Sequence, residues 1–332
     1  MGINCGSQII LCDLPIRIDT YSGCSHGCKY CFVQRKKNIM VIKKENCIGQ
    51  LKDFIAGKRN KEMAWCDWKI PLHFGGVSDP FQPIEKKYRL SYQAIKVLAE
   101  QQYPYVVSTK GLLAIGKEYL PVLKDGKCVV QVSMICQKYD VLEPGAPSYE
   151  TRLKMCEAFA HAGKRVIDRI QPFMPEVLDD VLSNVPRLAA SGVYGVVVEG
   201  MKFFSKKNGL IKYRGDYCYP EPILKYCFRQ IKTACHDVGM RFYSGENRLR
   251  TMGDSLCCCG IDGLEGFRGN DFNLMHLNAG ENVMPTERMR EIGTAECFRA
   301  IQQETWYKPF LDANSFFTVM MLQHKKKAIK RG

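Results

Sequence analysis

The chain has 332 residues, 46% of them hydrophobic and 25% charged, which fits a folded globular protein and excludes a disordered or fibrous one. No apolar run approaches the roughly 18–20 residues that cross a bilayer, and the opening "MGINCGSQIILCDLP" lacks the regions of a signal peptide, so a cytoplasmic protein without membrane contact is expected. The formal net charge of +14 favours polyanionic partners, nucleic acid first; five of the positive charges sit in the tail at Lys325, Lys326, Lys327, Lys330 and Arg331, and the rest are spread over the chain.

Short β-branched runs alternate with longer helical patterns. Strands are expected at 16–19, 70–76, 105–110, 128–134, 165–173, 193–200 and 240–245. Helices are expected across "EKKYRLSYQAIKVLAEQQ" (85–102), across "SYETRLKMCEAFAHAG" from a cap at Ser148 to Gly163, and across "EPILKYCFRQIKTACHDVG" from Pro220 to Gly239. This alternation predicts an α/β fold with a parallel sheet and helices outside it, either a full or partial barrel or a doubly wound open sheet. From about residue 246 the alternation stops. A loop-rich extension with a cysteine-rich stretch, a helix at 286–306 and the basic tail is expected there, giving units at 12–245 and 246–332.

Seventeen cysteines is an odd number in a chain with no export signal, so thiols or metal ligands are favoured over a disulfide framework. Three of them, Cys24, Cys28 and Cys31, fall in "YSGCSHGCKYCF" with C-x3-C-x2-C spacing, directly after the first strand. In a parallel α/β fold that loop lies at the carboxyl edge of the sheet, where sites are built. Three thiolates can hold three irons of a [4Fe–4S] cluster and leave the fourth open to a small molecule. A zinc ion completed by His26, or inert thiols, are the competing readings. The chain has only six histidines and no phosphate-loop, nucleophile-elbow or H-E-x-x-H motif, which disfavours ordinary hydrolases.

The triplet, with aromatic Tyr30 before its last cysteine, resembles the signature of radical S-adenosylmethionine (SAM) enzymes. "SDPFQPIE" (78–85) is similar to the "TDPYQPxE" stretch of the spore photoproduct lyase-like branch. "VVSTKG" (106–111) is similar to its "ITKS" segment, and "LEPGAPSYETRLKMCEAFAHAGKRV" (142–166) to its "LEPRAPSPxxRLxAIxxLxxAGI" helix. The resemblance covers about residues 12 to 200. It implies a partial (β/α)6-type barrel, a [4Fe–4S] cluster on Cys24, Cys28 and Cys31, and SAM on the open iron, cleaved reductively to a 5′-deoxyadenosyl radical that takes hydrogen from a substrate. It further implies that Gly75 and Gly76 approach the SAM amino group, that Lys110 meets a carboxylate such as that of SAM, that Ser133 faces the ribose or carboxylate, and that Arg169 and Gln171 reach the adenosine. A flavodoxin- or ferredoxin-type reductant is implied as a partner. The branch's substrate chemistry suggests a nucleic-acid base, in DNA before RNA, undergoing repair or modification. A peptide or small-metabolite substrate, and a non-catalytic iron–sulfur or zinc protein that binds nucleic acid, are the alternatives.

Past residue 200 no position can be assigned to the cysteine and tyrosines with which spore photoproduct lyase returns a hydrogen atom. What stands there is "LCCCG", whose Cys257, Cys258 and Cys259 suggest a hydrogen-donating thiol, a second metal site or cluster completed by Cys218, Cys227 or Cys235, or a buried structural cluster. Basic and aromatic residues interleave at Arg35, Lys36, Lys37, Lys43 and Lys44, and again through "MKFFSKKNGLIKYRGDYCYP" (201–220). With Arg248 and Arg250 they are the expected phosphate and base contacts, against a plain reading as solvated face and core, the latter for Phe203 and Phe204.

Overall fold

The computed structural model describes residues 3–5, 12–14, 16–35, 41–58, 69–213 and 216–269. The expected helix at 286–306, the basic tail, Lys36 and Lys37 lie outside the described residues. All seven expected strands are present. They are β2 (Ile16–Ile18), β5 (Leu72–Phe74), β6 (Tyr105–Thr109), β7 (Cys128–Val132), β8 (Arg165–Phe173), β9 (Gly195–Gly200) and β13 (Arg241–Ser244). They pair in parallel in that order, and β1 (Ile3–Cys5) adds an antiparallel edge beside β2. Every residue of β6 and β7 is buried, as expected of parallel strands covered on both faces.

One face of the sheet carries the larger core. Ile18, Phe74, Val107, Val130, Val166, Val196 and Phe242 pack there against the helices. These are α1 (Cys47–Ile55), α3 (Leu90–Glu100), α4 (Tyr119–Asp125), α5 (Tyr149–His161), α6 (Leu178–Ala190) and α7 (Glu221–Asp237), with a single turn, α2 (Glu85–Tyr88), before α3. Helix α5 starts where expected: the Ser148 hydroxyl accepts from the Thr151 N–H at 3.3 Å, and Gly163 closes the helix at φ 75°.

The alternate residues of the strands face the other way. Near the amino ends Val106, Val129, Ile167, Val197 and Tyr243 converge on Leu14, Cys257, Cys259 and Ile261. Five strands meet on one loop, so the sheet curls around it. Residues 257–261 are thus part of the sheet's packing. Further along the same face the lining turns polar, through His73, Ser108, Gln131 and Arg169.

Two departures from the sequence expectation have clear causes. The helix read across 85–102 breaks at Arg89, which has φ 50°. The buried Glu85 carboxylate turns back to accept the N–H groups of Ser91 and Tyr92, both at 2.9 Å, and so caps α3 as a new helix. Residues 202–218, read as a basic and aromatic stretch, form a small antiparallel sheet of β10 (Lys202–Phe203), β11 (Ile211–Tyr213) and β12 (Asp216–Cys218), which follows directly from the carboxyl end of β9.

Candidate active site

Strand β2 ends at Ile18, and β3 (Tyr21–Ser22), paired with β4 (Ile42–Lys43), leads into the cysteine loop. Gly23 and Gly27 bend the loop at φ 75° and 62°, and the Cys31 N–H donates to the Cys28 carbonyl at 3.0 Å. Three buried side chains hold it. The Gln82 amide accepts from the Ser25 N–H at 2.9 Å and donates to the Gly23 carbonyl at 3.0 Å. His26 Nε2 lies 3.1 Å from Asp79 Oδ2, and His26 Nδ1 lies 2.8 Å from the Gly145 carbonyl. Asp79 is itself fixed by the N–H groups of Phe81 at 2.8 Å and Lys110 at 2.6 Å. The motif "SDPFQPIE" is therefore the frame of the cysteine loop, a role its sequence signals only by placing Asp79, Gln82 and Glu85 among prolines.

Both ring nitrogens of His26 are engaged, so a zinc ion completed by His26 does not fit. Among the described residues no group of three or more His, Cys, Asp or Glu could hold a single metal ion. A [4Fe–4S] cluster asks for a different arrangement, because each thiolate binds its own iron and the body of the cluster keeps the sulfurs apart. The donor set suits that group: three thiols outside any disulfide on one anchored loop, Cys28 buried and Cys24 and Cys31 partly open. Burial, then the Asp79 charge, pushes the Cys24 thiol up to about 12, and burial also raises that of Cys28. Both need a cationic partner to ionise.

Behind the loop lies a buried ion cluster. The Glu143 carboxylate, fully shielded, meets Lys110 Nζ at 3.1 Å and Arg152 Nη2 at 2.6 Å, and accepts from the Tyr30 hydroxyl. Lys110 also donates to Ser133 Oγ at 2.7 Å, and Arg152 to the Ser133 carbonyl at 2.7 Å. The carboxylate that Lys110 meets within the chain is thus Glu143, which sequence reading did not single out. Burial pushes Glu143 up, but the Lys110 and Arg152 charges outweigh it and hold it below the usual carboxylate range. Tyr30 and Ser133 are drawn together by this cluster, at the carboxyl ends of β6 and β7.

On the lining face Arg169 donates to Gln171 Oε1 at 2.6 Å and to Ser108 Oγ at 3.1 Å, and Gln171 donates to Glu199, which pairs with Lys202. This polar row runs along β8 toward the site end. Gly75 sits at φ 88°, and a Cβ there would lie 2.4 Å from the Ser108 carbonyl; one on Gly76 would lie 2.8 Å from Arg17 Cδ. The positive φ and the backbone contact require glycine at Gly75, whereas the neighbour of Gly76 is the flexible Arg17 side chain.

No protein-family model matches the chain. An uncharacterized protein of Mycobacterium tuberculosis is 26% identical over 232 residues, covering 64% of this chain and 67% of that protein. One of Methanocaldococcus jannaschii is 23% identical over 175 residues, covering 49% and 61%. A spore photoproduct lyase variant solved with dinucleoside spore photoproduct superposes with a TM-score of 0.59 at 16% identity, over 73% of this chain and 79% of that one. Another, with bound AdoMet and dinucleoside spore photoproduct, gives 0.54 at 17% identity over 70% and 76%. The chain has the fold of spore photoproduct lyase.

Within that fold Cys257, Cys258 and Cys259 lie at the far end from the cysteine loop. Cys257 and Cys259 pack on Val106 and Val129, near the amino ends of β6 and β7, whereas Lys110 and Ser133 follow the carboxyl ends of those strands. Four residues of strand separate the levels, about 13 Å of rise. A thiol there does not face the mouth of the site, which corrects the hydrogen-donor expectation. Nor do the three cysteines expected to complete a second metal site reach the stretch. The Cys258 and Cys259 sulfurs are 3.9 Å apart, too close to serve separate irons of a cluster, and Cys218, Cys227 and Cys235 lie elsewhere. The fourth thiol at that end is Cys12, which sequence reading passed over.

The basic and aromatic residues divide. Arg248 is committed to Glu246 at 3.0 Å and to the Tyr219 carbonyl at 3.2 Å, and Arg250 is buried beside Cys258. Neither presents itself to a phosphate. Phe203 packs edge-on against Tyr219 with ring centroids 5.6 Å apart, whereas Phe204 is 51% exposed on the small sheet. Lys43 pairs with Glu45 at 3.0 Å.

Proposed function

We propose that the protein is a radical SAM enzyme. Cys24, Cys28 and Cys31 hold a [4Fe–4S] cluster, S-adenosylmethionine occupies the open iron, and a nucleic-acid base, in DNA before RNA, is repaired or modified. The observation that carries this reading is the C-x3-C-x2-C loop clamped by His26, Asp79 and Gln82 at the carboxyl edge of a sheet with the fold of spore photoproduct lyase. Cluster and SAM together would supply one-electron cleavage to a 5′-deoxyadenosyl radical, chemistry that belongs to the cofactors.

The chain's own residues supply placement and shielding. The His26–Asp79 pair and the Gln82 amide fix the loop so that the three thiols present as a set. Glu143 balances Lys110 and Arg152, leaving Lys110, over the Tyr30 ring at 5.9 Å, as a positive edge toward an anionic ligand group. Ser133, Arg169 and Gln171 line the route from that edge down the sheet and offer donors to a ribose or adenine. Electrons would come from a small flavodoxin- or ferredoxin-type protein.

Three features support a nucleic-acid substrate. The net charge is +14. The small sheet that follows β9 at the site end exposes Phe204 and Ile211 among Lys206, Lys207 and Lys212, a mix suited to stacking and phosphate contact. Two of the similar structures hold a dinucleoside, the dinucleoside spore photoproduct. The test is binding and hydrogen transfer with oligonucleotides. Affinity should fall steeply as salt rises, and deuterium from a labelled base should appear in 5′-deoxyadenosine. SAM cleavage without nucleic-acid binding at low salt would redirect the substrate to a peptide or metabolite.

A further inference from the structure

Arg17 is the middle residue of β2. Its neighbours Ile16 and Ile18 pack into the outer core, so its own side chain leaves by the inward face of the sheet. The stem runs along the end of β5: a Cβ on Gly76 would lie 2.8 Å from Arg17 Cδ and 3.2 Å from Nε. Arg17 Nε is buried without a hydrogen-bond partner, and among the described residues no carboxylate pairs with the guanidinium. Asp19, the next residue on that face of the chain, is taken up by the N–H groups of Val77 at 3.0 Å and Ser78 at 3.1 Å.

A second arginine shares this interior. Arg17 is level with His73 on β5, and His73 Nε2 lies 2.8 Å from Ser108 Oγ. The same hydroxyl accepts from Arg169 Nη1 at 3.1 Å and donates to Gln131 Oε1 at 2.8 Å. Arg169 also reaches Gln131 Oε1 at 3.3 Å and Gln171 Oε1 at 2.6 Å. All three acceptors are neutral, so among the described residues this guanidinium too has no carboxylate partner. Burial, then the Arg169 and Arg17 charges, pushes His73 well below its ordinary range, so the imidazole beside them adds no charge of its own at pH 7. The acids at the site end are spent elsewhere, Glu143 on Lys110 and Arg152 and Glu199 on Lys202. Beneath the row the apolar layer on residues 257–261 closes the interior, which makes the row the floor of the space below the cysteine loop. A shielded positive charge without a partner is costly, and here a ligand is left to supply the partner. The planar fork of a guanidinium matches the oxygens of a phosphate.

We propose that Arg17, with Arg169 as the second positive charge, binds a phosphate group of the substrate on the floor of the site. The inference rests on the proposed function for the nucleotide that carries the phosphate, and on the two arginines for the phosphate itself. It assigns Arg17 to the substrate rather than to SAM by depth. Along the ladder Arg17 stands level with His73 and Val106, four residues before Lys110, the cation at the carboxyl edge. A phosphate held there fixes the sugar and base attached to it beneath the cysteine loop. Arg17 therefore selects substrates that carry a phosphate over the bare nucleoside.

The experiment titrates the full-length, anaerobically reconstituted protein with thymidine, with its 5′-monophosphate and with the dinucleotide thymidylyl-thymidine, by calorimetry. The two phosphate-bearing probes separate a terminal phosphate from a bridging one, and the tighter names the source. Wild type should bind it at least about tenfold more tightly than thymidine, as charge-assisted bonds to a guanidinium require. Arg17→Gln should remove the preference and leave thymidine affinity as it was. Arg17→Lys, which keeps a stem against Gly76 and the charge without the fork, should restore part of it. Inorganic phosphate alone should raise the unfolding temperature of the wild type, a readout that needs neither SAM nor a base. Three results would overturn the proposal: equal wild-type affinity for thymidine and both phosphates, an Arg17→Gln variant that keeps the preference, or one that loses SAM affinity in its place. Phosphate selectivity in a protein that leaves SAM intact would end the enzymatic reading and keep this one.

Discussion

At the residue scale Glu143 matters most to the shape of the site. One buried carboxylate serves Lys110, Arg152 and the Tyr30 hydroxyl, so its loss takes the shared counter-ion from two cations in a shielded space and leaves Arg152 with Asp140 at 3.2 Å. Glu143→Ala should destabilise the protein by about 3–5 kcal/mol in denaturant unfolding, the cost of breaking a buried ion pair from one side. Asp168 is the opposite case. It is buried under α5 with neither oxygen hydrogen-bonded, and burial raises its carboxyl well above the usual range despite the Arg152 and Lys110 charges. The unfolded chain ionises Asp168 above about pH 4 while the folded chain keeps the proton, so rising pH favours unfolding. Asp168→Asn should therefore unfold at higher denaturant than wild type at pH 7–8, with the gap closing toward pH 4. Sequence reading found the thiols of the loop because their spacing is local. It missed Glu143 because that residue and Lys110 are 33 positions apart, and only the fold brings them together.

At the element scale the strands were legible because parallel strands buried on both faces read as unbroken apolar runs, as "YVVST" and "CVVQV" do. The break at Arg89 was not, since Lys86, Lys87, Tyr88 and Arg89 carry good helix propensity and the deciding partner is the Glu85 carboxylate. That carboxylate also accepts the hydroxyls of Tyr21 and, at 2.9 Å, Tyr119. Glu85→Ala should cost roughly 3 kcal/mol, as a lost cap plus buried donors left unpaired, and hydrogen exchange at Ser91 and Tyr92 should quicken first. Slow exchange there in the variant would mean that α3 caps itself. The small sheet at 202–218 went unread because its strands are two or three residues long, too short for alternation to show.

At the scale of the whole molecule the parallel sheet does one thing twice. It gathers the loops after β2, β5, β6 and β7 into a site at its carboxyl edge, and it leaves its amino end to be filled by 257–261. The placement of Cys257, Cys258 and Cys259 could not be read from sequence, because which end of a sheet a late loop returns to is a matter of topology alone. The central claim is chemical, and one measurement tests it most directly. Anaerobic protein reconstituted with iron and sulfide, given dithionite and SAM, should form 5′-deoxyadenosine and methionine, and Cys28→Ala should abolish both products. Cluster-loaded protein that binds SAM and leaves it intact, or a Cys28→Ala variant as active as wild type, would contradict the account.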